Sequence, residues 1–183
     1  MIEDDLYNPE KTNNIELMDF YGYKGNLGKF KIKFKLLMHY ILSFFAKISP
    51  SSDLTIKLHR FRGAKIGKHV YIGPGVEIDL LYPKMIEIED YVSIGMHTMI
   101  FAHSNPTCSI NIKREFYPRK VQKVRILRGS WVPPGCIILP GVTIGPDSII
   151  GAGSVVINNV EQNSLYAGIP AKKIKNLEFK DKI

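Results

Sequence analysis

Residues 126–161 read ILRGSW VPPGCI ILPGVT IGPDSI IGAGSV VINNVE, six successive units of six residues. The first position is always aliphatic (Ile126, Val132, Ile138, Ile144, Ile150, Val156), and the fifth is small or β-branched (Ser130, Cys136, Val142, Ser148, Ser154, Val160). The same phase runs upstream, with Ile66, Ile72 and Ile78 in one block and Ile88, Ile94 and Ile100 in another. Val70, Val76, Val92 and Thr98 hold the fifth position there, and Gly recurs at the second, at 67, 73, 95, 145 and 151. A period of six excludes an amphipathic helix, whose apolar stripe recurs at 3.6, and exceeds the period of two of a lone strand. It fits short strands joined by tight corners, each sending one aliphatic side chain into a narrow interior, with Gly relieving the backbone. No unit buries its apolar residue alone, so units must stack. The fold expected is an all-β solenoid.

The remainder of the 183-residue chain sets bounds. Its length suits one domain. Lys and Arg exceed Asp and Glu by 25 to 17, a formal charge of +8, which favours anionic partners. The basic residues are dispersed and no nucleic-acid-binding signature is present, so no nucleic-acid partner is expected. Cys108 and Cys136 form no CxxC or Cys/His pattern, and no metal is expected. The acidic, polar N-terminus is unlike a secretory signal, which points to the cytoplasm.

Residues 1–60 are read as an N-terminal irregular or helical cap segment. Within it, 1–28 are polar and read as irregular or weakly helical, and 31–48 as a helix. About 13 apolar residues there fall short of the roughly 20 that span a bilayer. This helix either caps one end of the solenoid or lies on anionic lipid, with Lys31, Lys33, Lys35 and Lys47 near headgroups. The repeat domain covers 61–171, and 172–183 read as a basic C-terminal tail.

Two breaks interrupt the repeat: four extra residues within DLLYPKMIE (79–87), and a protruding loop at 104–124 rich in Lys and Arg. A long insertion from one corner of a rigid scaffold is a common way to build a site. His103 stands immediately before it. Imidazole takes and returns a proton near neutral pH, and a carboxylate would fix its tautomer. Asp79, Glu89, Asp90 and Glu115 are the candidates, and Asp79 opens the first break. His97, six residues earlier, is a rival base; His39, His59 and His69 have no favourable context.

The repeat, with the run SWVPPGCIILPGVTIGPDSIIGAGSVVINNVEQNSLYAGIPAKKIK at 130–175, resembles the hexapeptide-repeat acyltransferases. The resemblance covers roughly 61–176 and lies nearest the sugar and glycan O-acetyltransferases, of maltose/galactoside and exopolysaccharide type. It implies a left-handed parallel β-helix, three hexapeptides per coil, and a homotrimer with sites between subunits. It implies acetyl-CoA as cosubstrate and His103 as the base, since the family places its catalytic His just before the extended loop. Carried over by position, pantetheine meets Pro134, Ala152, Ile157 and Asn158, and the phosphates and adenine meet Lys172 and Lys175. Asp79 and Trp131 fall on the acceptor side, Trp131 as a pocket wall or a packing residue between subunits. Leu127 and Pro133 depart from the family's usual Gly, and Ile157–Asn158 replaces a more polar pair.

The expected function is transfer of acetyl from acetyl-CoA to a hydroxyl of a sugar or glycan, in surface polysaccharide synthesis. The expected location is the cytoplasm, at the inner face of the membrane if residues 31–48 make peripheral contact there. The alternatives are N-acetylation of an amino sugar and a non-catalytic β-helix scaffold.

Overall fold

The computed structural model describes residues 7–179, and three helices precede the repeat: α1 (Pro9–Tyr21), α2 (Gly25–Ile48) and α3 (Ser52–Arg62). Of the two readings of residues 1–28, irregular or weakly helical, the described part is mostly helix, and α2 starts six residues earlier than expected. Local caps set the ends of α1 and α3, whereas α2 begins after Lys24 without a side-chain cap. Asn8 accepts a hydrogen bond from the Lys11 N–H, Pro9 occupies the first turn, and Gly22 closes α1 at φ 71°. Ser51 and Gly63 cap α3 in the same way. Residues 1–6 of the N-terminal segment lie outside the described residues.

The solenoid then winds through short strands in sets of three. The first coil is β1 (Lys65–Ile66), β2 (Tyr71–Ile72) and β3 (Glu77–Ile78); the second is β4 (Ile86–Ile88), β5 (Ser93–Ile94) and β6 (Met99–Ile100). The inserted loop contributes β7 (His103–Ser104) and β8 (Lys120–Val121). The third coil is β9 (Val124–Ile126), β10 (Trp131–Val132) and β11 (Ile137–Ile138), and the fourth opens with β12 (Thr143–Ile144), β13 (Ile149–Ile150) and β14 (Val155–Val156). A final hairpin comprises β15 (Ser164–Gly168) and β16 (Ala171–Asn176). Parallel pairing stacks these strands into three faces: β1-β4-β9-β12, then β2-β5-β10-β13-β15 with β16 antiparallel at its edge, then β3-β6-β11-β14. The segment expected to be a basic tail from 172 is thus a strand as far as Asn176, because β15 offers it a free edge. Residues 180–183 lie outside the described residues.

First-position residues form aliphatic columns inside the prism, such as Ile78, Ile100, Ile138 and Val156, each at most 2% exposed. Fifth-position serines satisfy their hydroxyls at the corners: Ser130 donates to Leu127 O at 2.7 Å and Ser154 to Gly151 O at 2.6 Å. The glycines act differently from the sequence expectation. Positive φ falls at the fourth position, at Tyr91 (59°), Gly135 (73°) and Asp147 (52°), not the second. Second-position Gly is required by coil spacing, since a Cβ on Gly145 would stand 2.5 Å from Gln162 N.

Helix α3 covers the open end of the first coil, where Ser52 Oγ accepts from Ile72 N at 2.8 Å. It buries His59 and Arg62, while α2 buries His39. Burial first, then the Arg62 charge, lowers His59 to about 3. Burial likewise lowers His39 to about 4, against the pull of its bond to Leu80 O. In the unfolded chain both protonate near pH 6.5, so between there and their folded values the unfolded state binds more protons. Stability is therefore present above pH 6.5 and lost as pH falls, by about 2 kcal/mol per histidine at pH 5. Thermal unfolding followed from pH 7 to 5 is expected to show this loss, and His39→Gln with His59→Gln should flatten it.

Candidate active site

The two breaks in the repeat meet at one corner of the prism. Asp79 follows β3, and its Oδ1 accepts the N–H groups of Leu81 and Tyr82, both at 2.9 Å. That side-chain turn lifts the chain out of the hexapeptide path into a short turn at Pro83–Met85 before β4 begins. One coil above, the chain leaves β6 and reaches the same corner at Ala102 and His103. Asp79 Oδ2 accepts the Ala102 N–H at 2.8 Å and faces His103 Nδ1 at 2.6 Å. The main chain of His103 is fixed as well, because β7 pairs antiparallel with β8 and Gln122 N donates to Ala102 O at 2.8 Å. The loop's two ends therefore close beside the histidine.

The Asp79 side chain is fully buried, while 22% of the His103 side chain reaches solvent. Burial pushes the Asp79 carboxyl up, but the hydrogen bond and charge of His103, with the backbone N–H groups, together hold it below the usual carboxylate range. An ionised carboxylate here accepts Nδ1–H, which leaves the lone pair of His103 on Nε2. Arg62 reaches from α3 beneath this corner and donates to the carbonyls of Ile78 and Asp79 at 3.1 and 2.7 Å. On the other side the Tyr82 ring meets the His103 ring edge-on, centroids 4.9 Å apart. Arg119 in turn donates to Tyr82 Oη at 2.6 Å, with its guanidinium 5.4 Å from the ring centre.

The inserted loop is tied to the N-terminal segment: on α1, Glu16 pairs with Lys113 at 2.6 Å and with Arg119 at 3.6 Å, and ahead of α1 Tyr7 Oη donates to Thr107 O at 2.8 Å. Loop, Tyr82 and His103 thus form one chain of contacts that begins at Glu16. Arg119→Met removes the hydrogen bond and the cation over Tyr82, freeing the surface that backs the imidazole. Its turnover is expected to fall by up to about 10²-fold, the scale of a small misplacement of a reacting group. A kcat loss with CoA affinity unchanged, measured by thiol release and calorimetry, would bear this out.

The other sequence-predicted residues fall at definite places. Pro134 and Ala152 stack at the corner leading into the β3-β6-β11-β14 face, linked by Gly153 N to Pro134 O at 3.0 Å. Ile157 and Asn158 stand at the far edge of that face, on the same column of corners as Asp79 and Ala102. One face therefore joins the expected CoA contacts to the histidine. Lys172 and Lys175 are exposed on β16, and the tip of that hairpin folds back to Ser154, whose Oγ accepts Gly168 N at 3.0 Å. Trp131 is 51% exposed on the neighbouring face, so within one chain it does not share the His103 corner. Asp79, placed on the acceptor side by resemblance, has its carboxylate buried and fully engaged, a position suited to holding His103. His97 is exposed at a fourth-position turn with φ 56°, and among the described residues no carboxylate bonds its ring. Glu89 and Glu115 lie elsewhere, Glu89 pairing with Arg125 and Arg128 N, and Asp90 accepts from Lys68 N.

Sequence reasoning did not reach Glu16, Arg62, Tyr82 or Arg119, nor a cleft of about 290 Å³ at this corner. It is lined by Asp79, Leu80 and Phe101 on the solenoid and by Tyr40, Phe44 and Lys47 on α2. Lys47 pairs with Glu77 across it.

The two breaks of a three-faced solenoid of hexapeptides thus bring a buried carboxylate and a partly exposed histidine together at one corner. Residues 123–158 match the family described as bacterial transferase hexapeptide (six repeats). The chain is 28% identical over 144 residues to an Escherichia coli K12 protein assigned as a lipopolysaccharide biosynthesis O-acetyl transferase, WbbJ, covering 64% of this chain and 74% of that one. It is 31% identical over 133 residues to another from the same strain assigned as a colanic acid biosynthesis acetyltransferase, WcaF, covering 64% and 72%. A hexapeptide-repeat acetyltransferase of Vibrio cholerae, solved with acetyl-coenzyme A, superposes with a TM-score of 0.63 at 22% identity, over 81% of this chain and 90% of that one. The chain belongs to the hexapeptide-repeat acetyltransferases.

Proposed function

We propose that the protein transfers acetyl from acetyl-CoA to a hydroxyl of a sugar or glycan, with His103 as general base. The Asp79–His103 hydrogen bond carries this reading, because it fixes the tautomer that the chemistry needs. Nε2 takes the acceptor hydroxyl proton as the oxygen attacks the thioester carbonyl. The tetrahedral intermediate then collapses, the carbon–sulfur bond breaks, and His103 returns the proton to the departing thiolate, giving the ester and free CoA. Pro134, Ala152, Ile157 and Asn158 line one face suited to an extended pantetheine, whose amides can pair with strand-edge peptide groups. Lys172 and Lys175 offer point charges to phosphate.

The relatives' assignments to lipopolysaccharide and colanic acid synthesis support a surface-polysaccharide acceptor. We infer a left-handed winding and a cytoplasmic homotrimer, in which Trp131 of one subunit meets the site of another. Free-thiol release from acetyl-CoA against sugars, nucleotide sugars and glycans tests the assignment. Release that depends on a hydroxyl acceptor is expected; release only with amino sugars would shift the reading to N-acetylation. Failure to bind CoA would leave a scaffold.

A further inference from the structure

Helix α2 carries apolar residues on the side turned away from the protein. Leu27, Phe30, Phe34, Leu37, Ile41, Phe44 and Ile48 are spaced alternately three and four apart, and each is between 37% and 68% exposed. The residues that α2 buries, Gly28, Ile32, His39 and Ala46, lie on the opposite side at 100° per residue. Phe61 on α3, 77% exposed, extends the patch beside Phe30 and Phe34. A contiguous outward stripe of this size marks a surface that something covers.

Charge selects the occupant. The 24 residues of α2 include five lysines and no acidic residue, and Lys24 stands at its N-cap. Lys31 and Lys33 are exposed and flank the stripe on either side, positions from which a lysine stem can cover apolar surface while its ammonium group meets headgroups. Pairing two such helices would bring lysine sets together with no carboxylate on either helix to meet them. An anionic bilayer matches both features: phosphate headgroups take the lysines and the acyl boundary takes the Phe and Leu side chains. Among the described residues no helix is long and apolar enough to cross a membrane, so α2 would lie along the surface.

The stripe also reaches the corner that holds Asp79. Phe44 belongs to it, and with Tyr40 and Lys47 it walls the cleft that reaches Asp79 and Phe101. We propose that the outer face of α2 docks the protein on an anionic lipid bilayer, and that the acceptor is a glycan carried on lipid at that surface. The second half rests on the acetyl-transfer reading; the docking does not.

Co-sedimentation tests the docking, with full-length protein and vesicles of phosphatidylcholine alone or mixed with phosphatidylglycerol. Binding at least tenfold tighter to the anionic vesicles, weakened at high salt, is expected. Two triple variants, Phe34→Ser with Leu37→Ser and Ile41→Ser, and Lys29→Gln with Lys31→Gln and Lys33→Gln, should each lose tenfold or more while keeping wild-type helicity. Equal binding by wild type and variants overturns the docking. So does a wild type that ignores vesicles but loses an oligomer in the serine variant by analytical ultracentrifugation, which would make the stripe a contact between copies. For the acceptor, thiol release is compared between a long-chain alkyl glycoside in the vesicles and the matching methyl glycoside in solution. A tenfold kcat/KM advantage for the embedded glycoside, abolished in the serine variant with methyl-glycoside turnover unchanged, is expected. Equal values in wild type overturn the lipid-borne acceptor. Absence of thiol release with every acceptor overturns the acetyl-transfer reading, while the sedimentation result stands by itself.

Discussion

His103→Ala is expected to lower kcat for acetyl transfer by about 10²–10⁴-fold, the usual contribution of a positioned general base. The variant loses the imidazole that Asp79 holds at the corner where the two breaks meet. Its neighbours stay in place, because Ala102 N still bonds to Asp79 and β7 still pairs with β8 through the main chain. CoA binding, which the reading places along the adjacent face, should be retained by calorimetry. Wild-type turnover in the variant would move the base elsewhere. Loss of CoA binding together with activity would place His103 in the cofactor site.

Asp79→Asn should cost a comparable factor for a different reason. The carboxylate accepts four hydrogen bonds, from Leu81 N, Tyr82 N, Ala102 N and His103 Nδ1. An amide has a single acceptor oxygen. If that oxygen keeps the turn at Leu81 and Tyr82, the amide nitrogen faces Ala102 N and His103. His103 must then accept at Nδ1 and carry its proton on Nε2, the tautomer that cannot take a proton from an acceptor hydroxyl. In the serine-protease triad the equivalent change costs about 10⁴-fold in kcat, and about 10²–10⁴-fold is expected here. The unpaired Ala102 N–H should also destabilise the fold by about 1–3 kcal/mol. Nitrogen NMR of the imidazole separates the two effects, because a purely structural loss would leave the proton on Nδ1. A variant that keeps Nδ1–H and wild-type kcat would remove Asp79 from the mechanism.

The solenoid was legible because its constraint is local and repeated. Each coil must present an aliphatic residue to a narrow interior, so Ile78, Ile100, Ile138 and Val156 record in sequence the column they form in space. His103 was legible for a related reason, since a break in a regular pattern stands out. Asp79 and His103 are 24 residues apart, and choosing Asp79 over Glu89, Asp90 or Glu115 required knowing that the first break lies one coil below the second. The repeat itself displaces successive coils by a short step, so the two breaks had to meet only if they left from the same corner.

Other features depended on contacts between distant segments. Glu16 on α1 pins a loop about a hundred residues away, and Arg62 on α3 reaches the carbonyls of Ile78 and Asp79. No periodicity marks either residue, because an ion pair leaves no pattern along the chain. The apolar content of 31–48 was visible, but its sidedness was not. Sequence shows that a helix is oily; only packing shows which side the protein covers, and here it covers Ile32 and His39 while leaving Phe34 and Leu37 outside. By itself the sequence determined the repeat, the stacking it compels and the histidine at its break. The tertiary structure decided the carboxylate that orients the histidine, the wall of the cleft and the outward face of α2, because each depends on how separate elements dock, and docking is set by surfaces that no single segment contains.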